Sequence, residues 1–187
     1  MELEHHQKEK ALFIVMGPSP LLAFLDEHGI DCPRCDHPAV FTVDEAARWV
    51  PPLPGAKTKN LFLRDKSGRR HFLVCVPAAK SVDMRALSDA IGAGRLSFGS
   101  PERLKKHLGI EPGAVTLFAV FNDPAHAVEL YVDEELWQAD AFQFHPLVNT
   151  STLVISRESV ERFLQLIGHP LHLVTVGGRG DEQRVME

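Results

Sequence analysis

Gly55-Ala56-Lys57-Thr58-Lys59-Asn60-Leu61-Phe62-Leu63-Arg64, followed by the turn Asp65-Lys66-Ser67-Gly68 and the run Phe72-Leu73-Val74-Cys75-Val76, is the stretch on which the reading of this chain turns. Asn60 to Arg64 and Phe72 to Val76 are two β-type runs, and the polar turn between them predicts a hairpin. Alternation along the first strand puts Leu61 and Leu63 on one face and Asn60 and Phe62 on the other. A lysine therefore enters an otherwise apolar strand at Lys59.

On the N-terminal side, Ser19-Pro20 predicts the start of a helix, with a capping side chain followed by a proline where no N–H is missed. Leu21, Leu22 and Leu25 form its apolar face, and Gly29 ends it. Thr42-Val43-Asp44-Glu45 has the form of a capping box and predicts a helix through about Val50, stopped by Pro51-Pro52-Leu53-Pro54-Gly55. On the C-terminal side, Asp83 to Ile91 reads as a helix stopped by Gly92 and Gly94, and Arg95 to Phe98 as a short strand. Ser100-Pro101 starts another helix, running to Leu108 and ended by Gly109. Val115 to Val120 and Val128 to Val132 read as a second hairpin around Asn122-Asp123. Thr152 to Ile155 is a strand, Ser156 caps a last helix ending at Gly168, and Leu171 to Val176 is a final strand. Hairpins interleaved with short helices imply a single α+β domain with a mixed central sheet over residues 18–176. Residues 1–17 are expected to be a polar N-terminal segment and 177–187 a mobile tail.

The bulk composition agrees. In 187 residues, 44% are hydrophobic and 24% charged, which excludes a disordered or fibrous chain. No apolar run approaches the roughly 18 residues that span a bilayer, and the N-terminus has no apolar core of a secretory signal, so a cytoplasmic protein is expected. The net charge is −5, which disfavours general attraction to nucleic acid. The charge is segregated, however. Residues 57–80 carry seven Lys or Arg against Asp65 alone, whereas residues 122–140 carry six carboxylates and no Lys or Arg. The basic segment suits phosphate, or else it is an ordinary solvated hairpin. Cys32-Pro-Arg-Cys35 has the spacing of half a metal site, but no second half-site accompanies it, so neither metal nor cofactor is expected.

Sequence signatures for a nucleophilic serine, a zinc peptidase, a phosphate-binding loop or a dinucleotide fold do not occur. Two segments carry chemistry. Lys59, at the mouth of a sheet, can hold a phosphate or carboxylate as a point charge, although a lysine there also discourages strand-edge aggregation. Phe144-His145-Pro146-Leu147-Val148-Asn149-Thr150-Ser151-Thr152 is polar and turn-rich. Its Asn149, Thr150 and His145 suit the orientation of a small polar ligand, or belong to a satisfied structural loop.

Together with His37-Pro38-Ala39-Val40-Phe41-Thr42, Arg95-Leu96-Ser97-Phe98, Gly113-Ala114-Val115-Thr116, Asn122-Asp123 and Gly168-His169-Pro170, these segments resemble the YbaK/ProX superfamily. That superfamily includes the editing domain inserted in bacterial prolyl-tRNA synthetases. The likeness covers about Leu21 to Val176, and the Thr-Lys-Asn and Phe-His-Pro-Leu forms are most similar to its free-standing prolyl-tRNA editing branch. The resemblance implies hydrolysis of the ester joining a wrong amino acid to tRNA(Pro), alanine first, with the tRNA acceptor end as partner and prolyl-tRNA synthetase as a candidate second partner. Deacylation of a cysteinyl or seryl ester, or a non-catalytic module that binds tRNA ends or amino acids, are the alternatives. By position Lys59 matches the family's essential lysine. It would act by anchoring the terminal phosphate or ribose and stabilising the oxyanion, or as a general base with a pKa lowered by about three units. Asn60, His145, Asn149 and Thr150 would orient the ester. Gly113, Ala114, Val115, Thr116 and Leu117 match a pocket loop that ends in proline in the family and in Leu117 here. Arg69, Arg70, Arg95, Lys105 and Lys106 are the residues expected to meet tRNA phosphates.

The lone C-x-x-C pair generates a first prediction. Deacylation by the purified protein should be unchanged by chelation, and loss of activity in EDTA with recovery on adding zinc would refute it.

Overall fold

The computed structural model describes residues 20–39 and 51–178. The expected helix from Thr42 to Val50, the segment 1–17, the Ser19 cap and the tail from 179 onward lie outside these residues. Eight strands form one mixed sheet: β1 (Arg34–Asp36), β2 (Ala56–Asp65), β3 (His71–Pro77), β4 (Leu96–Phe98), β5 (Val128–Asp133), β6 (Ala141–Phe144), β7 (Ser151–Ser156) and β8 (Leu171–Val174). Their order is β1-β7-β6-β2-β3-β5-β8, with β4 paired to β2 off this path. The helices are α1 (Pro20–Glu27), α2 (Met84–Ala90), α3 (Pro101–Leu108), a 3-10 helix (Leu117–Asn122), α4 (Glu134–Trp137) and α5 (Arg157–Ile167).

The expected first hairpin is β2–β3, antiparallel from Thr58↔Pro77 to Arg64↔His71. Strand β3 is buried along almost its whole length because it has a core on each face. Leu73 and Cys75 join Phe62, Phe118, Phe142 and Phe163 in the larger core. Phe72, Val74 and Val76 join Leu63, Leu87 and Ile91 in the smaller one, which α2 covers. The caps at Ser100 and Ser156 are as the sequence predicts, and Asp83, read as the first helical residue, is the cap of α2. The Asp83 side chain accepts from Arg85 and Ala86 N–H, Ser100 from Arg103 and Ser156 from Ser159, while Gly109 and Gly168 end α3 and α5 in the left-handed region.

The second hairpin does not form. Val128–Asp133 pairs in parallel with β3 and β8, and Leu117–Asn122 is a 3-10 helix. Leu117, Phe118, Ala119 and Val120 are all buried, and a run buried on every side has no period that separates strand from helix. Asp123 then turns the chain into β5, its carboxylate accepting from Ala127 and Val128 N–H. The short β1, β6 and α4 are additions to the expected elements.

Strand β2 is the longest and has different partners on its two edges. One edge is taken by β3, whose direction continues as Ala78 N–H donates to the Lys57 carbonyl. The other is shared by β6, parallel at Ala56↔Phe142 and Lys57↔Gln143, and β4, antiparallel at Leu63↔Phe98 through Asp65↔Leu96. Gly55 makes the β6 junction possible. Its φ is +87°, and a Cβ there would lie 2.9 Å from the Ala141 carbonyl carbon.

His71, at the start of β3, is buried with its ring stacked on Phe62 and 4.0 Å from the His107 ring of α3. Arg103 donates to its Nε2 at 2.8 Å, so the proton of the neutral ring sits on Nδ1. Burial, then the neighbouring His107 and Arg103, pull its pKa from 6.5 to about 4. The unfolded chain therefore binds a proton that the folded chain refuses, and stability falls as pH drops from about 6.5 towards 4. In urea titrations across that window His71→Gln should flatten the dependence. An unchanged slope would show that His71 is not its source.

Candidate functional site

Between its two partners on the far edge, β2 has a gap. Thr58 Oγ1 donates to the Gln143 carbonyl at 2.7 Å, and Gly99 N–H donates to the Phe62 carbonyl at 2.9 Å. Among the described residues no strand pairs with Lys59, Asn60 and Leu61 on that edge. Beyond Phe144 the chain leaves β6 through His145-Pro146-Leu147, and Leu147 has φ +66°, strained for a bulky residue.

Pleating sorts the nominated residues onto two sides of this opening. Lys59 shares its face with Leu61 and Leu63. Asn60 shares the opposite face with Thr58 and with Phe62 of the larger core. Phe142 and Phe144 point into the larger core, so alternation sends Gln143 and His145 to the Lys59 side. The loop Gly113–Leu117 lies on the other side. Ala114 and Leu117 are buried in the larger core, and Phe118 packs edge-on against Phe144 at 5.9 Å. Leu117 is fully buried and fills core volume. Lys59 and His145 thus come to one side, and Asn60 with the Gly113 loop to the other. Asn149 is half-buried and Thr150 exposed, with the Thr150 carbonyl accepting from His37 N–H.

The hydrogen bonds define proton positions. His145 Nδ1 donates to the Ser151 carbonyl at 2.9 Å, which leaves Nε2 as a free lone pair when the ring is neutral. Burial, against the Ser151 bond, holds its pKa below the usual histidine value. His37 was not among the nominated residues. Its Nδ1 donates to the Pro38 carbonyl, so its Nε2 accepts from Thr152 Oγ1 at 3.0 Å, and its ring lies 6.2 Å from that of His145. The quoted His37-Pro38 motif was the available signal for it. Lys59 Nζ donates to the backbone carbonyl of Lys80. Three buried oxygens in these segments have no hydrogen-bond partner among the described residues: Asn60 Oδ1, Thr116 Oγ1 and Ser151 Oγ. Buried polar atoms left unpaired are costly, and a polar ligand is one way to satisfy them. No group of His, Cys, Asp and Glu suited to a metal occurs among the described residues.

Residues 37–163 match the aminoacyl-tRNA editing domain. The chain belongs to the aminoacyl-tRNA editing domain family. It is 36% identical over 149 residues to the prolyl-tRNA editing protein ProX of Acetoanaerobium sticklandii, covering 80% of this chain and 91% of that one. It is also 36% identical over 148 residues to the prolyl-tRNA synthetase associated domain-containing protein 1 of Danio rerio, covering 78% and 80%. A crystal structure described as that of a candidate trans-editing enzyme for prolyl-tRNA synthetase shares the fold, with a TM-score of 0.61 at 20% identity over 85% of this chain and 99% of that one. Membership of the editing family makes the chain an aminoacyl-tRNA hydrolase. Among the described residues no helix is long and apolar enough to cross a membrane.

The basic segment is less open to this editing domain's RNA than its composition suggests. Arg70 forms a two-pronged pair with Glu129 at 2.8 and 2.9 Å, donates to the Gly92 carbonyl and lies over the Phe72 ring. Lys80 is held by Asp133 and Glu135, and Arg64 bonds the turn carbonyls of Asp65 and Lys66. Lys105 pairs with Glu111 at 2.9 Å on the surface. Lys57, Lys66, Arg69, Arg95 and Lys106 are exposed. Of the residues expected to meet phosphates Arg70 is already paired with a carboxylate of the acidic region, as is Lys80 in the same basic segment. Arg70→Glu should set two carboxylates against each other and cost about 1–2 kcal/mol of stability. Arg69→Glu should leave the melting temperature unchanged. Equal melting temperatures for the two variants would show that the Arg70 pair holds nothing in place.

Proposed function

We propose that the chain is a trans-editing deacylase for mischarged prolyl-tRNA, with the alanyl ester of tRNA(Pro) as its preferred substrate. The observation that carries this reading is the 36% identity to the prolyl-tRNA editing protein ProX over 91% of that protein. In the proposed reaction a water oxygen attacks the ester carbonyl carbon. The bond from that carbon to the ribose oxygen breaks, the ribose oxygen takes up a proton, and the amino acid leaves as its carboxylate. An aminoacyl ester is already activated, so placement of the water and stabilisation of the oxyanion are sufficient catalysis.

Lys59 supplies the positive charge for the terminal phosphate or ribose and for the developing oxyanion. His145, neutral with its Nε2 lone pair free, accepts a hydrogen bond from the substrate on the same side. Asn60 and the Gly113–Leu117 loop hold the aminoacyl group from the other side, with Asn60 Oδ1 and Thr116 Oγ1 as the acceptors available to its ammonium. Asn149 and Thr150, in the loop that follows His145, are assigned to orienting the ester. A synthetase pocket built for proline rejects a smaller amino acid by only about 1–3 kcal/mol per missing methylene, so a second and smaller site adds selectivity that the first lacks. Arg69, Arg95, Lys105 and Lys106 meet acceptor-stem phosphates, whereas Arg70 serves them indirectly by bracing the hairpin. Prolyl-tRNA synthetase is the enzyme whose errors this activity would clear.

Purified protein should be offered alanyl-, cysteinyl- and seryl-tRNA(Pro) together with a correctly charged control. Release of alanine should be fastest, and Lys59→Ala should abolish it with little change in melting temperature. Preference for a cysteinyl or seryl ester would reassign the substrate, and binding without turnover on every ester would make the chain a recognition module.

A further inference from the structure

Lys59 sits on a long, flexible stem, and its one hydrogen-bond acceptor among the described residues is a main-chain carbonyl. That carbonyl belongs to Lys80, in the turn just past β3. Ala78 N–H donates to the Lys57 carbonyl at 2.9 Å and Lys80 N–H to the Pro77 carbonyl at 3.0 Å, so the turn folds over β2 at the level of Lys57 to Lys59. The Lys80 side chain then crosses to the far end of β5. Its Nζ lies 2.7 Å from Asp133 Oδ2 and 2.7 Å from Glu135 Oε2. Asp133 is 1% exposed, Lys80 14% and Glu135 66%. The other Asp133 oxygen accepts from Glu135 and Val176 N–H, which fixes the carboxylate where β5, α4 and the segment after β8 meet.

We infer that the Lys80–Asp133 ion pair is a positioning device that fixes the Lys59 ammonium at the open edge of β2. The chain of contacts is continuous: a carboxylate locked by two backbone N–H groups, the Lys80 ammonium, the Lys80 carbonyl, and Lys59 Nζ. A buried ion pair is a poor source of net stability, because desolvating the charges offsets their attraction. Fixing geometry is a role that an apolar replacement could not fill. Burial works against the Lys80 charge, yet its bonds to Asp133 and Glu135 prevail and raise its pKa, so the pair persists at neutral pH. Lys80 and Asp133 are positioning residues, and the inference rests on the catalytic reading of Lys59 above.

Two readouts test it. Lys80→Met keeps the apolar stem and removes the ammonium. It should lower kcat at least about tenfold with KM held within about twofold, because a misplaced catalytic group is expensive while distant binding is untouched. Independently of turnover, acylation of Lys59 by an N-hydroxysuccinimide ester, followed by peptide mass spectrometry against exposed Lys66, should be faster in Lys80→Met. Asp133→Asn, which keeps an acceptor for both N–H groups, serves the same measurements if Lys80→Met does not fold. Unchanged Lys59 acylation or wild-type kcat in Lys80→Met would overturn the inference. Turnover surviving in Lys59→Ala would instead sink the catalytic reading of that lysine, and the acylation rate would still judge the clamp.

Discussion

Everything at the opening depends on how β2 is paired. One edge is fully taken by β3, and the other is divided between β6 and β4, which approach from opposite ends and stop short of each other. Had either strand run on, the edge at Lys59–Leu61 would be an ordinary ladder with no room for a ligand. The division is enforced locally. At one end Gly55 accepts a backbone approach that no side chain would allow, and Gln143 Nε2 donates to the Leu53, Pro54 and Gly55 carbonyls to hold the proline loop in place. At the other end Gly99 closes against the Phe62 carbonyl, where a Cβ would meet the Phe62 ring at 2.4 Å. Two glycines therefore set the width of the gap, and the strand between them presents consecutive residues to opposite sides.

Much of this was legible in the sequence, and what was not has physical causes. The β2–β3 hairpin, the caps at Ser100 and Ser156 and the glycine stops depend on neighbours within a few residues, so local chemistry predicted them. Alternation also anticipated that Asn60 would turn away from the face of Leu61 and Leu63. Leu117-Phe118-Ala119-Val120 misled because it is apolar at every position. The Ala141–Phe144 strand was missed because four residues between turns carry too little pattern. Motif resemblance nominated Lys59, His145 and the Gly113 loop, but it could not tell that a sheet edge would separate them into two sides. His37 lay in a quoted motif, yet its bond to Thr152 joins residues far apart in the chain.

The charge pattern is where the fold changes the meaning of the sequence most. A basic segment and an acidic one, well separated along the chain, suggested two faces of opposite sign. Parallel pairing of β3 with β5, from His71↔Val128 to Cys75↔Val132, instead lays one segment beside the other. At the start of the pair Arg70 meets Glu129, and past its end Lys80 meets Asp133 and Glu135. Segregation in sequence thus becomes complementarity in space, and much of the apparent phosphate-binding charge is spent on holding two strands in register. Of the seven cations of the basic segment Lys57, Lys66 and Arg69 are exposed, in a chain whose net charge is −5. Long-range attraction to RNA is correspondingly weak, so on the proposed reading residence at the acceptor end would come from contacts at the opening itself.

That conclusion fits the polar state of the opening. The segments around the opening place Leu147 in the left-handed region and leave Asn60 Oδ1, Thr116 Oγ1 and Ser151 Oγ without hydrogen-bond partners among the described residues, as Ser88 Oγ and His169 Nε2 are away from it. Departures of this kind concentrate where a site must stay ready for a ligand rather than satisfy itself. A side chain rearranged to bond Asn60 or Thr116 internally would stabilise the free protein and remove the groups with which an aminoacyl end could be distinguished from water. On the proposed reading of the opening, weak electrostatic steering and unsatisfied local acceptors are two sides of one arrangement, in which recognition would be concentrated at the acylated terminus and little invested in the body of the RNA.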